Sequence, residues 1–478
     1  MMSIMDLNEQ KLTFDEIPLG SAGPTLSMTR NSLMKPANDP LKATLMAGAT
    51  VVDITPPGSF FLFGYPHVPR YSTGTHDPLE CAVLYLKSGQ NSALFMANDV
   101  IGFGKSFVED LRRRIKAATG VAEESIMISA THTHSGPIMV DYVSNAADPH
   151  VPKVDPSHVK LIADRMLEAA KTAVKNAVPA EVGLAVARAE GVGSNRHNPT
   201  GPADPEVPVL VARSLDNKTP IGCMVVYGMH PTVLHEDTKL VTGDFPYFAR
   251  RWVQDKILTP GCPVIYHNGV SGNQSPRHVT KGNTFAEAQR IGEKLGQSIA
   301  NVIPGLKYHR DLPITTRRVY LELTLREFPK LAEAEKRVEQ VHALFEKLKK
   351  EGAPSQAVRT AECDVFGAEE TKQLAKIQAE GRLKAVAATC SPMEIQVIQI
   401  GQWKFAAWPG EFFVEYGLTV KSRVPDTFIV TIANGELQGY IVTAEAEAKG
   451  VYESGNAVFA PSNGPRVVDA TVALLQGK

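Results

Sequence analysis

The sequence predicts an α/β fold in which mixed β-sheets are flanked by α-helices. Three observations support this prediction. Short apolar runs typical of buried strands alternate along the chain with amphipathic segments typical of helices. Residues 82–100 contain two apolar runs joined by Ser-Gly-Gln-Asn, which indicates antiparallel pairing within the sheets. Around residues 328–388 the sequence becomes charged and alanine-rich, which predicts a helical insertion.

The individual elements follow from hydrophobic period and from turn residues. Short apolar or β-branched runs bounded by Gly, Pro, Asn or Asp predict strands. They lie at residues 43–54, 82–100, 125–130, 180–190, 220–229, 262–270, 393–408 and 427–434. Apolar residues that recur every three or four positions predict helices, the first of which is closed by Gly120. These helices lie at residues 107–119, 158–177, 286–303 and 469–477.

The same patterns predict the domain organisation. Residues 1–45 are polar and turn-rich, which predicts an N-terminal arm. Residues 46–478 show no repeats and no low-complexity linker, so we interpret them as a single domain. Within it, the insertion at residues 328–388 is most simply a helical hairpin packed on the outside of the domain.

Composition and charge exclude several classes of function. The chain has 50 Lys+Arg against 51 Asp+Glu, so nothing in its charge favours nucleic acid or an anionic membrane surface. The five cysteines are scattered without a Cys-x-x-Cys motif, which predicts free thiols in a reducing compartment. No secretory signal and no membrane span is recognisable. We therefore predict a cytoplasmic protein and leave open whether it forms a homo-oligomer.

The stretch "ISATHTHSGP" places two histidines at the end of an apolar strand. Alternate residues of a strand share a face, so His132 and His134 are predicted to present both rings to one side. Imidazole nitrogens in this arrangement can form half of a zinc site. The alternative is a pair of hydrogen-bonded polar side chains without a ligand.

A second histidine cluster, "MHPTVLHED", follows the strand at residues 220–229. His230 is the first polar side chain after that strand, and His235 and Asp237 follow it. Asp244 in "VTGDFP" is a candidate to orient a ligand imidazole from the second coordination sphere. The alternative is a set of loop side chains that hydrogen-bond the backbone.

Three later motifs supply further candidates. Ser275, in "VIYHNGVSGNQSPR", is either a nucleophile or a hydrogen-bonding group, although no G-x-S-x-G elbow surrounds it. Glu411 follows the break at Pro409-Gly410 and suits either a helix start or a metal ligand. Tyr440 and Tyr452 lie among small and polar residues and belong either to the core or to a site.

Taken together and in this order, the motifs resemble the neutral/alkaline (non-lysosomal) ceramidase family. Members of this family are zinc amidohydrolases that split N-acyl sphingosine into fatty acid and sphingosine. The resemblance runs from "AGATVVDITPPG" through "THTHSGP", "SNRHNP", "GNQSPR" and "WPGEF" to "YIVTAEAEAKGVYES", about residues 47–465. It implies the catalytic N-terminal domain of the family, without the β-sandwich domain that follows it in the members acting on ceramide.

The resemblance also assigns roles to individual residues. One zinc ion per chain is implied, with ligands His132, His230, Glu411 and Tyr440. His134, Arg196 and Tyr452 match family positions that line the site and hold the substrate. Ser275 matches the serine of a family stretch, Gly-Asp-Val-Ser-Pro-Asn, which reads Gly-Asn-Gln-Ser-Pro-Arg in this chain.

The sequence therefore predicts a zinc-dependent amidohydrolase that cleaves the amide bond of an N-acylated amine by metal-activated water. The expected substrate is a small N-acyl amine or a lipid-like molecule such as ceramide, which would place the enzyme in lipid and sphingolipid metabolism. His134 is expected to carry a proton, and Arg196 or Tyr452 to stabilise the oxyanion. The alternatives are a zinc esterase or lactonase with the same site, and a catalytically silent binding protein.

Overall fold

The computed structural model describes residues 45–478 of the chain. The main strands, named in chain order, are β1 Met46–Asp53, β2 Glu80–Ser88, β3 Asn91–Asn98, β4 Ile126–Ala130, β5 Val178–Arg188, β6 Glu206–Ser214, β7 Pro220–Tyr227, β8 Val264–Asn268, β9 Ile314–Leu321, β10 Met393–Ile400, β11 Trp403–Ala407 and β12 Thr427–Val430. The helices are α1 Lys105–Thr119, α2 Pro156–Lys175, α3 Phe245–Lys256, α4 Phe285–Val302, α5 Leu331–Lys350, α6 Ser355–Ala379, α7 Leu383–Ala387, α8 Val414–Arg423, α9 Ala444–Lys449, α10 Tyr452–Asn456 and α11 Asn463–Leu475.

Two mixed sheets form the centre of the structure. The larger has the strand order β8-β7-β6-β5-β1-β2-β3-β4, and the smaller has the order β9-β10-β11-β12. Neighbouring strands are antiparallel except for β3–β4, β7–β8 and β11–β12, which are parallel. The predicted mixed pairing is confirmed, including the β2–β3 hairpin in the segment 82–100.

The larger sheet curls so that its two edge strands meet. Ser129 Oγ at the end of β4 lies 2.6 Å from His267 Nδ1 at the end of β8. The carboxyl ends of β4 and β8 are thereby brought to one place. The parallel pairing of β7 with β8 brings the end of β7 to the same place.

Apolar side chains on both faces of the sheets arrange the structure in four layers. The inner face of the larger sheet packs on the smaller sheet, where the Phe95 and Phe405 rings meet edge to face at 5.6 Å. Helices α1 to α4 cover the outer face of the larger sheet. Helices α8 and α11, with α6 and α7, cover the smaller sheet. The central strands are thus buried on both faces, as their short apolar runs predict.

Several predictions about local structure are confirmed. Helix α1 ends where Gly120 adopts the left-handed conformation, with φ of 77°. The charged, alanine-rich segment is helical, since it contains α5, α6 and α7. All five cysteines are buried free thiols. Within residues 45–478 no helix is both long and apolar enough to cross a membrane.

The predicted N-terminal arm, residues 1–45, lies outside the described residues except for its last member. Leu45 already belongs to the fold, because its backbone N–H donates to Arg310 and its carbonyl accepts from Ala180.

Candidate metal centre and substrate cavity

A cavity of about 800 Å³ lies where the carboxyl ends of several strands converge. This volume suits a small organic ligand. Its wall contains every side chain to which the family resemblance assigns a role: His132, His134, Arg196, His230, Ser275, Glu411, Tyr440 and Tyr452. Three of them, His132, His230 and Glu411, follow β4, β7 and β11 within a few residues of the strand end.

Two imidazoles and a carboxylate converge at the bottom of the cavity. His132 Nε2 lies 3.1 Å from Glu411 Oε2, and His230 Nε2 lies 2.9 Å from the same oxygen. The Tyr440 hydroxyl is 3.4 Å from His230 Nε2. Tyr440 reaches this point because residues Glu411–Phe412 pair in parallel with Tyr440–Ile441, which places Tyr440 beside Glu411.

Backbone carbonyls fix the orientation of both imidazoles. His132 Nδ1 lies 2.7 Å from the Ile101 carbonyl oxygen, and His230 Nδ1 lies 2.8 Å from that of Ser271. A carbonyl oxygen can only accept a hydrogen bond, so each Nδ1 carries the hydrogen. In the neutral form of each ring, Nε2 then keeps a lone pair directed toward Glu411. This is the arrangement in which histidines bind a metal.

The electrostatics of the cluster depend on burial and on mutual charge. The adjacent His132 and His230 hold the pKa of Glu411 well below its usual value, although burial alone would raise it. Burial lowers the pKa of His132, but Glu411 more than offsets this and the net pKa is raised. Burial and the Arg196 charge lower the pKa of His230 to about 4. Glu411 is therefore an anion and His230 a neutral imidazole at neutral pH.

The donor set fits a divalent metal ion. With both rings neutral, the lone pairs of His132 Nε2 and His230 Nε2 face Glu411 Oε2 from 3.1 and 2.9 Å. Such an arrangement is repulsive, and either a proton on His132 or a cation among the three atoms relieves it. Two imidazoles, one carboxylate and one phenol oxygen suit zinc or a neighbouring transition metal. His132, His134 and His230 also form a group whose ligand atoms all lie within 4.8 Å of one another. His134 is therefore close enough to serve the same ion or its substrate.

His134 lies beside the candidate metal ligands, and neither of its ring nitrogens is hydrogen-bonded within residues 45–478. Its ring centroid is 5.0 Å from that of His132. Burial and the two neighbouring imidazoles hold the pKa of His134 well below its usual value. Its ring is thus uncharged at neutral pH and available to a bound molecule.

Arg196 and Tyr452 line the cavity beside Tyr440. The Tyr452 and Tyr440 hydroxyls are 3.2 Å apart, and the Arg196 guanidinium lies 5.0 Å from the centre of the Tyr452 ring. Arg196 Nε donates to Glu453 Oε1 at 2.6 Å, so the guanidinium is held in place by a buried carboxylate. These side chains offer hydrogen-bond donors next to the predicted ligands.

The comparisons with known proteins identify the fold. No family model matches the sequence, and no curated protein matches it. The neutral ceramidase of Pseudomonas aeruginosa superposes with a TM-score of 0.69 at 18% identity, over 91% of this chain and 75% of that chain. A ceramidase complexed with C2 gives 0.69 at 17% identity, over 91% and 76%. The chain has the neutral ceramidase fold. The predicted resemblance is thus confirmed for the fold.

The reason predicted for the position of the His132 and His134 rings on one side of the chain is wrong. Strand β4 ends at Ala130, before the histidines, so strand alternation does not align their rings. Instead, His132 adopts a left-handed conformation with φ of 72°. Its backbone N–H donates to the Val100 carbonyl. Such a conformation is uncommon in residues other than glycine and is found where local structure serves a site.

The predicted role of Asp244 is also wrong. Its carboxylate accepts hydrogen bonds from the backbone N–H groups of Leu234 and Phe245. It therefore caps the start of α3 and ties down the loop after His230. Asp244 orients neither His132 nor His230, because backbone carbonyls hold both rings.

The helical insertion is not packed only on the outside, as the sequence suggested. Helix α6 forms one wall of the cavity through Arg359, Cys363, Phe366 and Glu370. The approach depends on Gly367, where a Cβ atom would lie 2.9 Å from the Tyr452 carbonyl oxygen. Charged and alanine-rich composition predicts a solvated helix, and it cannot show this close contact with α10.

Two important residues were not predicted. Glu453 follows Tyr452 and is fully buried, and it binds both Arg196 and His197. Arg70 is also fully buried, and it donates to the carbonyl of His134 and to Ser135 Oγ. Adjacency to a predicted site residue was the signal available for Glu453. Nothing near Arg70 in the sequence indicated that it contacts His134 and Ser135.

Proposed function

We propose that this chain is a metal-dependent amidohydrolase that cleaves the amide bond of an N-acylated amine. The observation that carries the proposal is the convergence of His132 Nε2 and His230 Nε2 on Glu411 Oε2, at the bottom of a cavity of about 800 Å³. The fold supports it, since two solved structures that share it are those of ceramidases. Residues 46–478 would act as one catalytic domain.

The proposed ligands of a zinc ion are His132, His230, Glu411 and Tyr440. Zinc held there would activate water for attack and polarise the amide carbonyl. The ligand residues are nearly excluded from solvent, with His132, His230 and Glu411 exposed by 2%, 1% and 6%. A preorganised set of this kind does not need to rearrange during the reaction.

The other residues of the cavity suit proton transfer and charge stabilisation. Hydrolysis breaks the C–N bond, and the departing amine must gain a proton. His134 has a neutral ring with two unpartnered nitrogens beside the ligands, so it is the residue we assign to move this proton. Tyr452 and Arg196 would donate to the oxygen on which negative charge develops.

Ser275 is assigned a positioning role. Its hydroxyl oxygen accepts from the backbone N–H of Arg277 at 3.2 Å. Among the hydrogen bonds of the described residues it has none to a histidine, lysine or carboxylate that could act as its base. A serine nucleophile requires such a partner. We infer that Ser275 shapes the loop, and that attack is by water.

The test is release of amine from a matched N-acyl series, from N-acetyl amines to long-chain ceramide, with and without a chelator. We expect chelator-sensitive cleavage that returns when zinc is added, and its loss in His132→Ala. Cleavage of an ester but not of the matched amide would favour the esterase or lactonase reading. Metal-loaded protein that cleaves neither would favour a silent binding protein.

A further inference from the structure

A single guanidinium of the cavity wall is left without a carboxylate. Three arginines line the cavity, namely Arg196, Arg277 and Arg359. Arg196 pairs with Glu453 at 2.6 Å. Arg359 pairs with Glu236 at 2.9 Å and with Glu362 at 2.6 Å. For Arg277, no carboxylate oxygen of residues 45–478 lies within 4.0 Å.

The acidic groups of the cavity wall do not neutralise Arg277 either. Glu236 and Glu362 are both held by Arg359, and Glu411 is held by the two imidazoles. Glu370 is bonded to Asn145 at 2.9 Å, and burial raises its pKa to about 7. Its charge at neutral pH is therefore only partial.

The contact that Arg277 does make is with an uncharged group. Its Nη2 lies 3.6 Å from Cys363 Sγ on α6. Burial raises the pKa of the Cys363 thiol, so the sulfur is not a thiolate at neutral pH. A thiol is a weak acceptor. Arg277 therefore keeps most of its hydrogen-bonding capacity for another partner.

The position of Arg277 connects it to the metal centre. Its backbone N–H donates to Ser275 Oγ, at the start of the short helical turn Pro276–His278. One residue earlier, the Gln274 carbonyl lies 3.1 Å from His230 Nδ1. The loop that orients a predicted metal ligand thus also presents a guanidinium to the same cavity.

We propose that Arg277 binds a carboxylate of the substrate, and that this chain prefers acidic N-acyl compounds to neutral ones. The planar guanidinium matches a carboxylate with two parallel hydrogen bonds. The inference deepens the proposed function, on which it rests, by naming the class of substrate. The carboxylate can belong either to the amine part or to the acyl part, and the experiment separates the two.

The experiment uses two matched pairs of amides on the metal-loaded full chain. N-dodecanoylglycine and N-dodecanoylglycinamide differ by a charge on the amine side. The dodecylamides of succinic and butanoic acid differ by a charge on the acyl side. We expect one acid to have a kcat/KM about 10- to 100-fold above its neutral partner, which is the range for one hydrogen-bonded charge. Arg277→Gln should remove that preference by raising KM for the acid alone.

Controls separate recognition from stability. Arg290→Gln removes a guanidinium that is paired with Glu287 outside the cavity wall, and it should leave every rate within about twofold. Arg277→Lys keeps the charge without the planar fork and should recover part of the preference. Thermal unfolding of each variant checks that it is folded.

Each outcome decides the inference. An acid preference that disappears in Arg277→Gln supports it and assigns the side that carries the carboxylate. Equal rates within both pairs, or an equal loss for acid and neutral amide in Arg277→Gln, would overturn it. Calorimetric binding of the four compounds gives the same comparison without turnover. Arg277-dependent binding of an acid without cleavage would therefore refute the proposed function and keep this inference.

Discussion

The candidate metal centre and the part of the cavity wall formed by α6 are constructed in different ways. At the candidate metal centre, His132, His230 and Glu411 are almost completely buried, and backbone carbonyls orient both rings. The second region consists of α6 and the loop after Ser275, and its arginines are partly exposed. Arg359 is held by ion pairs with Glu236 and Glu362, whereas the Arg277 guanidinium contacts the Cys363 thiol. The first region depends on strand ends, whereas the second depends on an inserted helix.

This difference separates chemistry from specificity. The carbonyls that orient the two rings belong to Ile101 and Ser271, buried residues three positions after the ends of β3 and β8. Moving them would disturb these strand ends, so we expect the candidate metal centre to be rigid. Side chains on an inserted helix can change without disturbing the sheet behind them. We therefore expect substitutions at the centre to abolish the reaction, and substitutions at the wall to change which substrate is accepted.

The largest effect is expected for Glu411→Gln. Removing the carboxylate leaves His132 and His230 without the charge that both imidazoles face. Metal should be lost, and kcat/KM should fall by about 1,000-fold or more, since a bound metal contributes several kcal/mol. Metal content by mass spectrometry and amide cleavage measure the effect.

Glu394→Gln is the matched control. Glu394 is similarly buried but pairs with Arg112 at 2.9 Å, away from the cavity. This variant should lose stability and still hold one metal ion per folded chain. Equal metal loss in both variants would show that stability, and not coordination, is the cause.

An intermediate effect is expected for Gly367→Ala, which tests the wall. The new Cβ atom would lie 2.9 Å from the Tyr452 carbonyl oxygen, so α6 must move away from α10. We expect a loss of stability of about 1–3 kcal/mol and a higher KM, with metal content unchanged. Denaturant unfolding and steady-state kinetics measure both quantities.

Gly305→Ala is the control for the backbone change itself. Nothing lies within 4 Å of a Cβ atom at Gly305, so stability should change by less than about 1 kcal/mol. An unchanged KM in Gly367→Ala would indicate that α6 does not touch the substrate.

The smallest effect on turnover is expected for Glu370→Gln, which changes the pH dependence of stability. Burial raises the pKa of Glu370 from 4.5 to about 7. Between these values the folded chain binds more protons than the unfolded chain, so the free energy of unfolding falls as pH rises. The stabilisation is fully present below pH 4.5 and is lost through about pH 7. It amounts to about 3 kcal/mol at most.

The measurement is urea unfolding at a series of pH values, with chelator present so that metal binding does not contribute. Glu370→Gln should show a flatter profile than the native chain across this window. The buried Glu436, whose pKa is raised to about 8, titrates in both proteins and cancels in the comparison. Superimposable profiles would show that Glu370 has the same pKa in the folded and unfolded chains.

The site illustrates how far the sequence could be interpreted. The eight predicted residues all line one cavity. Apolar runs and turns marked the strands before His132, His230 and Glu411, whereas the roles of Arg196 and Tyr452 came from the family resemblance alone. For His132 and His134 the location was right and the reason was wrong, since β4 ends before them and a left-handed residue sets the geometry. The spacing of apolar residues along a sequence does not reveal where a single residue adopts a left-handed conformation.

The sequence by itself determined the alternation of strands and helices, the positions of the candidate metal-binding motifs and the helical character of the insertion. These follow from local period and turn chemistry, which short stretches of chain contain. The tertiary structure alone decided that the edges of the larger sheet meet, that Asp244 caps a helix and that α6 reaches Tyr452. Each of these depends on contacts between residues far apart in sequence, about which local pattern contains no information.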